Sequence, residues 1–318
     1  MPPDELISGG HLLARTRDYW LYGLRARSEI ELPDWPVTTF TEPDVTIKRE
    51  ALSVPEPVGP PYTARSTLEG GELRLAILGV GRYAASGGNL IRVDPDPQAT
   101  PEDIRLYLTG ALMGTILHQR GAYPLHASCV ALAGVPGAVG FAGRSGAGKS
   151  TMVAALVRRG AAFVSDDICV MAPSAPGGLR VWPGAARVKL DEIGLGVLPG
   201  ATADLDPAGG NRGKFHLPMD GTLDREVPVP LSRVYLLTDG EEAPRLERLT
   251  GLDAVSALVD ETYLLATAHS LGLISQVFGL AARVAQTLPV IRLIRPRGLE
   301  YLPAVAALVE QDAHHPEG

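Results

Sequence analysis

Over the first hundred positions, apolar and polar residues alternate in short runs that glycine and proline interrupt. The stretch from Asp18, through Tyr19-Trp-Leu-Tyr-Gly-Leu-Arg-Ala-Arg to Leu32, has this character, as do Asp44–Arg49, Glu72–Leu78 and Asn89–Val93. A period of two with such punctuation predicts short strands, so residues 1–100 read as a β-rich N-terminal region. Residues 1–10 carry no pattern and read as a frayed start, and Val54–Pro61 is a proline-rich connection. The period changes at Thr100-Pro-Glu-Asp, which offers a capping hydroxyl, proline at the first helical position and acids in the first turn. Leu106, Leu108, Ala111, Leu112, Ile116 and Leu117 then fall at helical spacing, predicting a helix to about Gln119 that Gly121 ends.

Beyond it, Ala127–Ala133 and Gly134–Phe141 read as strands, and Ser150 to Arg159 as a helix. Ala161–Val164, Ile168–Met171, Leu179–Trp182, Val234–Leu237 and Val290–Ile294 read as further strands. Leu252–Leu258 begins a helical pattern, and Leu299–Gln311 is a closing helix. Strands and helices mix without strict βαβ alternation, which predicts an α/β fold with a mixed sheet over residues 101–318. Residues 194–212, rich in glycine, proline and alanine, read as a flexible loop placed to act as a lid.

The candidate chemistry sits where these elements change type. Gly143-Arg144-Ser145-Gly146-Ala147-Gly148-Lys149-Ser150, with Thr151 after it, fits the G-x-x-x-x-G-K-[ST] phosphate loop without a mismatch. The glycines let the backbone turn tightly and bring bare N–H groups to phosphate oxygens, and the following helix adds its positive end. Lys149 can reach the outer phosphates, and Ser150 can enter a Mg²⁺ shell. Two adjacent acids, Asp166 and Asp167, end the next strand, where carboxylates can hold Mg²⁺ and accept a nucleophile's proton. Asp166 is read as the base and Asp167 as the metal ligand, although the reverse order satisfies the sequence equally. Lys189 or Arg187, Lys214 and the group Arg292, Arg295 and Arg297 are further candidates for phosphate, nucleotide or subunit contacts.

Composition narrows the partners. With 318 residues, 45% hydrophobic and 20% charged, the chain is ordinary for a globular protein. A net charge of −7 argues against a nucleic-acid or anionic-membrane surface. Cys129 and Cys169 lie in apolar runs without metal spacing and read as buried reduced thiols. Tyr263–Ala282 lacks charge over 20 residues, yet its Thr, His, Ser and Gln dilute it, so a core helix or helix pair is expected rather than a membrane span.

His126, the phosphate loop, the Arg158-Arg159-Gly160 end of its helix and Val164-Ser-Asp-Asp together resemble the catalytic domain of the HPr kinase/phosphorylase family. The resemblance is strong over residues 120–171 and weaker through Trp182–Leu190, Gly213-Lys214, Val227–Leu231 and Leu288–Leu293. It implies a nucleotide-binding core like that of phosphoenolpyruvate carboxykinase, an active-site role for His126, and ATP- and Mg²⁺-dependent transfer to a serine hydroxyl of a protein or peptide. Cytoplasmic location and a homo-oligomer are expected on the same ground. The glycine- and isoleucine-rich segment that marks HPr kinases downstream of the acid pair has no counterpart here. The expected relatives are therefore the divergent branch, which includes kinases that tailor ribosomally made peptides such as lasso peptides. The alternatives are a small-molecule kinase acting on free serine or a sugar, and a regulatory protein that binds nucleotide without chemistry. The second carboxylate speaks against the last.

Overall fold

A computed structural model describes residues 16–174, 177–197, 206–207, 213–219 and 223–315. The N-terminal region forms a sheet of seven strands: β1 (Arg17–Leu21), β2 (Leu24–Ser28), β3 (Val45–Arg49), β4 (Ala64–Glu69), β5 (Glu72–Ile77), β6 (Gly81–Ser86) and β7 (Leu90–Pro95). They stand in the order β1-β2-β3-β7-β6-β5-β4, with β3 parallel to both of its neighbours. The run from Asp18 is a hairpin rather than one strand, because Tyr22 and Gly23 both take positive φ and turn the chain. Gly23 is required here twice over. Its φ is +81°, and a Cβ would stand 2.3 Å from the Trp182 ring, against which the turn is pressed.

Helix α1 (Pro101–Tyr107) starts at the Thr100 cap, whose side chain accepts from the Asp103 amide. The expected single helix is interrupted by a π-helical stretch, Leu108–Leu112, before α2 (Met113–Gln119) completes it. Hydrophobic spacing does not distinguish one widened turn from a regular helix. Ile104, Leu108, Leu112 and Ile116 share a core with Tyr19, Ile47 and Tyr83 of the N-terminal sheet and with Ile168 and Val170. The residues just after the acid pair are thus packed against the N-terminal region.

The second sheet is also mixed. It contains β8 (Tyr123–Leu125), β9 (Ala127–Ala131), β10 (Ala138–Ala142), β11 (Ala162–Ser165), β12 (Cys169–Ser174) and β13 (Gly178–Trp182). A separate three-stranded sheet comprises β14 (Arg187–Asp191), β15 (Asp206–Pro207) and β16 (Lys214–Pro218), and β17 (Val229–Asp239), β18 (Arg245–Leu249) and β19 (Val290–Arg295) complete the larger one. Strand β17 runs parallel to β10 and β19 and antiparallel to β13. The helices are α3 (Lys149–Arg158), α4 (Glu192–Leu195), α5 (Gly251–Asp260), α6 (Leu265–Ser270), α7 (Ile274–Thr287) and α8 (Leu302–His314). Alternation along β10 and β17 sorts the two faces. Val139, Phe141, Tyr235 and Leu237 pack with α3 and α8, whereas Ala138, Ala142, Val234 and Leu236 pack with α5 and α7. The uncharged stretch from Tyr263 is the helix pair α6–α7, and no helix among the described residues is long and apolar enough to cross a membrane. Both cysteines are buried free thiols. Most of the expected lid, residues 198–205 and 208–212, lies outside the described residues, as do 1–10.

Candidate functional site

The chain crosses between two parts of the larger sheet at two neighbouring points. One crossing, from β8 to β9, holds His126; the other, from β11 to β12, holds Asp166 and Asp167. Because β8 pairs with β12 and β9 with β11, the histidine and the acids are brought together although 40 positions separate them. The glycine loop leaves β10, the strand next to β9, and leads into α3. The expected strand–loop–helix order is therefore present, with β10 starting at Ala138 rather than Gly134. Gly148 caps α3 at φ +87°, and a Cβ there would stand 2.9 Å from the Arg295 guanidinium. Arg295 in turn donates to the Ala147 carbonyl, so it braces the loop from β19.

Both oxygens of Asp166 accept hydrogen bonds. Its Oδ1 accepts from Ser128 Oγ at 2.5 Å and from Ser150 Oγ at 2.8 Å, while Oδ2 accepts from the Lys189 amide at 2.8 Å. Burial, and then the charge of Asp167, push its carboxyl above the ordinary carboxylate range against those hydrogen bonds. Asp167 is different. It sits at φ +70°, its side chain is 42% exposed, and its Oδ2 lies 3.3 Å from Lys189 Nζ. Burial works to raise this carboxyl, but Lys189, His126 and Lys149 together hold it below the usual range. It is a carboxylate at neutral pH.

His126 Nδ1 lies 3.0 Å from the Asp167 carbonyl, which can only accept, so Nδ1 carries the proton and Nε2 the lone pair. Burial, followed by Lys149, lowers its pKa, and the ring is neutral at pH 7. Lys149 is 7% exposed and donates to the carbonyls of Gly143 at 2.6 Å and Arg144 at 3.3 Å. Burial lowers its pKa against the pull of Glu261, Asp167 and Asp166.

A cleft of about 400 Å³ opens in front of these groups. Ser145–Thr151 form one wall, and His126, Asp167, Lys189, Lys214, Arg295 and Arg297 also reach it. Lysine and arginine thus outnumber the lining acids Asp167 and Asp191, although the whole chain is acidic. Of the other sequence candidates, Arg187 pairs with Asp34 at 2.5 Å, and Arg292 pairs with Glu247 on the surface. Ser128, Glu261 and Tyr263 were not foreseen. Nothing in their local sequence marks them, since each reaches the site through sheet pairing or through the bridge of Leu125 to Thr262.

His216, facing this region from β16, is 8% exposed, and burial, then Arg187 and Lys189, lower its pKa to about 3. Unfolded histidine titrates near 6.5, so between about pH 6.5 and 3 the unfolded chain binds the extra proton and stability falls as pH falls. The loss should be on the order of 1–2 kcal/mol at pH 5. Denaturant titrations of wild type and His216→Gln across pH 7 to 4 check it: the variant should show a shallower decline.

No protein-family profile and no curated protein matches this chain. Among solved structures, it is similar to the HPr(Ser) kinase/phosphatase from Coxiella burnetii, with a TM-score of 0.36 and 14% identity over 61% of this chain and 93% of that one.

Proposed function

We propose that the protein is a phosphotransferase that moves the γ-phosphoryl group of ATP, taken with Mg²⁺, to a serine-type hydroxyl of a peptide or protein. The observation that carries this reading is the chain from the loop hydroxyl of Ser150 through Asp166 to the Lys189 amide, with a second, ionised carboxylate beside it facing the cationic cleft. Binding alone needs no such second acid.

The loop amides from Gly143 to Thr151, with Lys149, would hold the β- and γ-phosphates, and Lys189, Lys214 and Arg295 would add positive charge. Ser150 and Asp166 fit a hard cation such as Mg²⁺, which is held by few protein oxygens together with phosphates and waters. Among the described residues no group of three or more His, Cys, Asp or Glu side chains could hold a metal by itself. When bound, Mg²⁺ supplies charge that offsets the phosphate oxygens.

The acids are assigned in the reverse of the first order given above. Both oxygens of Asp166 are engaged, which suits a fixed metal-side carboxylate; Asp167 is ionised and exposed to the cleft, which suits a base. As the acceptor oxygen bonds to phosphorus, its proton passes to Asp167. The bond from phosphorus to the bridging oxygen breaks, and ADP leaves with that electron pair. His126 acts by position: its Nδ1–H holds the left-handed turn that aims Asp167.

The test supplies γ-labelled ATP and Mg²⁺ with serine-containing peptides, free serine and sugars, reading ADP release and added phosphate by mass spectrometry. Phosphate on a peptide hydroxyl is expected. Tight nucleotide binding with no acceptor modified would overturn the reading in favour of a regulatory binding protein.

A further inference from the structure

A second cavity, of about 310 Å³, is lined in part by the acid pair and adjoins the cleft in front of the glycine loop. The two share Asp167 and Lys189, so the proposed base stands in the partition between them. Besides the acid pair, the segment from Ala185 to Lys189 and His216, three further parts of the chain build the walls. Tyr22 and Trp35 enter from the N-terminal region; Thr109, Gly110 and Ala111 come from the π-helical stretch; Tyr263 and Leu264 follow α5.

Local distortions gather around this cavity. Among the described residues, four non-glycine residues have positive φ, and three of them, Tyr22, Asp167 and Leu264, line it. The π-helical stretch is a fourth irregularity, and such bulges concentrate at functional sites. Strained backbone persists where the surrounding structure enforces it, and it clusters at ligand sites. Trp35 is 5% exposed, yet its indole N–H has no hydrogen-bond partner, an open donor in a residue that lines the cavity.

Several of the charged groups present already hold partners. Asp166 accepts from Ser128, Ser150 and the Lys189 amide, Lys189 pairs with Asp167, and Arg187 pairs with Asp34. Much of the remaining surface is aromatic, with Tyr22 edge-on to Trp35 at 4.6 Å and Tyr107 and Tyr263 beside them. A sugar presents hydroxyls all round its ring, and those set against the aromatic faces would lose their hydration without replacement. One alcohol with an apolar neighbour would lose little.

We propose that this cavity is the acceptor site, that the N-terminal region builds part of it, and that it takes a peptide serine flanked by an aromatic or large aliphatic residue. The serine hydroxyl meets Asp167 at the partition, and the flanking side chain lies against the aromatic wall. This rests on the phosphotransfer reading above, and the balance of atoms is the one given there.

The experiment uses the full chain, labelled ATP–Mg²⁺ and a peptide library with a fixed central serine and varied neighbours, with free serine and glucose as further acceptors. Wild type should prefer an aromatic or large aliphatic neighbour by at least tenfold. Thr109→Phe, which fills the cavity, should raise the acceptor KM at least tenfold with the ATP Kd within about twofold. Thr109→Ala widens the wall with a good helix former and should shift preference towards larger neighbours, so the proposal stays testable if the phenylalanine variant folds poorly. Peptide transfer that ignores both the neighbours and both substitutions, or a preference for glucose, overturns the acceptor assignment while leaving phosphotransfer standing. ATP binding with no transfer to any acceptor overturns the phosphotransfer reading itself.

Discussion

Asp167→Asn should lower turnover by about 10²–10⁴-fold, the usual worth of a positioned general base, while ATP–Mg²⁺ binds within a few-fold of wild type. The amide keeps the size of the carboxylate; it loses the capacity to take a proton and, with it, the charge that pairs with Lys189. Asp166→Asn should behave differently. Its Oδ1 accepts from two hydroxyls and Oδ2 from a backbone N–H, so an amide nitrogen at the Oδ2 position sets donor against donor, and one at the Oδ1 position obliges both serine hydroxyls to turn and accept. Loss of the negative charge next to Ser150 should then raise the Mg²⁺ concentration needed for half-maximal ATP binding. Titration calorimetry with and without Mg²⁺, paired with single-turnover assays, separates the two effects. If Asp166→Asn binds Mg²⁺–ATP normally and fails only in turnover, the base is Asp166 and the proposed order is wrong.

Lys149→Met should cut turnover by about 10²–10³-fold, comparable to removing one preorganised donor from a developing anion. It should also leave the fold as stable as wild type or more so. The ammonium is desolvated, its hydrogen bonds run to two neutral carbonyls, those of Gly143 and Arg144, and the pull of Glu261, Asp167 and Asp166 only partly offsets its burial. A buried charge with that company costs stability, and an apolar chain of similar length relieves the cost. Thermal melts without nucleotide check the sign. A melting temperature several degrees lower would instead make the lysine a strut for the loop, with its phosphate role unsupported.

Much of the site could be read in the sequence because its parts are local. The glycine loop with its flanking strand and helix depends on neighbours a few residues apart, and so does the placement of Asp166 and Asp167 at a strand end. Boundaries shifted by a few residues: β10 begins at Ala138, and the closing helix at Leu302 after a short 3₁₀ turn. The hairpin at Tyr22-Gly23 was missed because a non-glycine residue at positive φ gives no signal in an alternating run. The π-helical stretch was missed because apolar spacing tolerates one widened turn. Strands β4 and β6 escaped because β4 is largely exposed and β6 carries small residues and an arginine.

The sequence alone determined which residue types are available and in what local order: a phosphate-loop pattern, two adjacent acids, a histidine before a strand, and a β-rich start. Tertiary structure decided what surrounds each. The two adjacent aspartates differ because Ser128, Ser150 and the Lys189 amide converge on one, while Lys189 Nζ and His126 face the other. Those partners come from separate strands, brought into register only by the sheet and by a core shared with the N-terminal region. Hydrogen bonding and burial depend on that long-range pairing, so the chemical difference between two identical neighbours is a property of the fold.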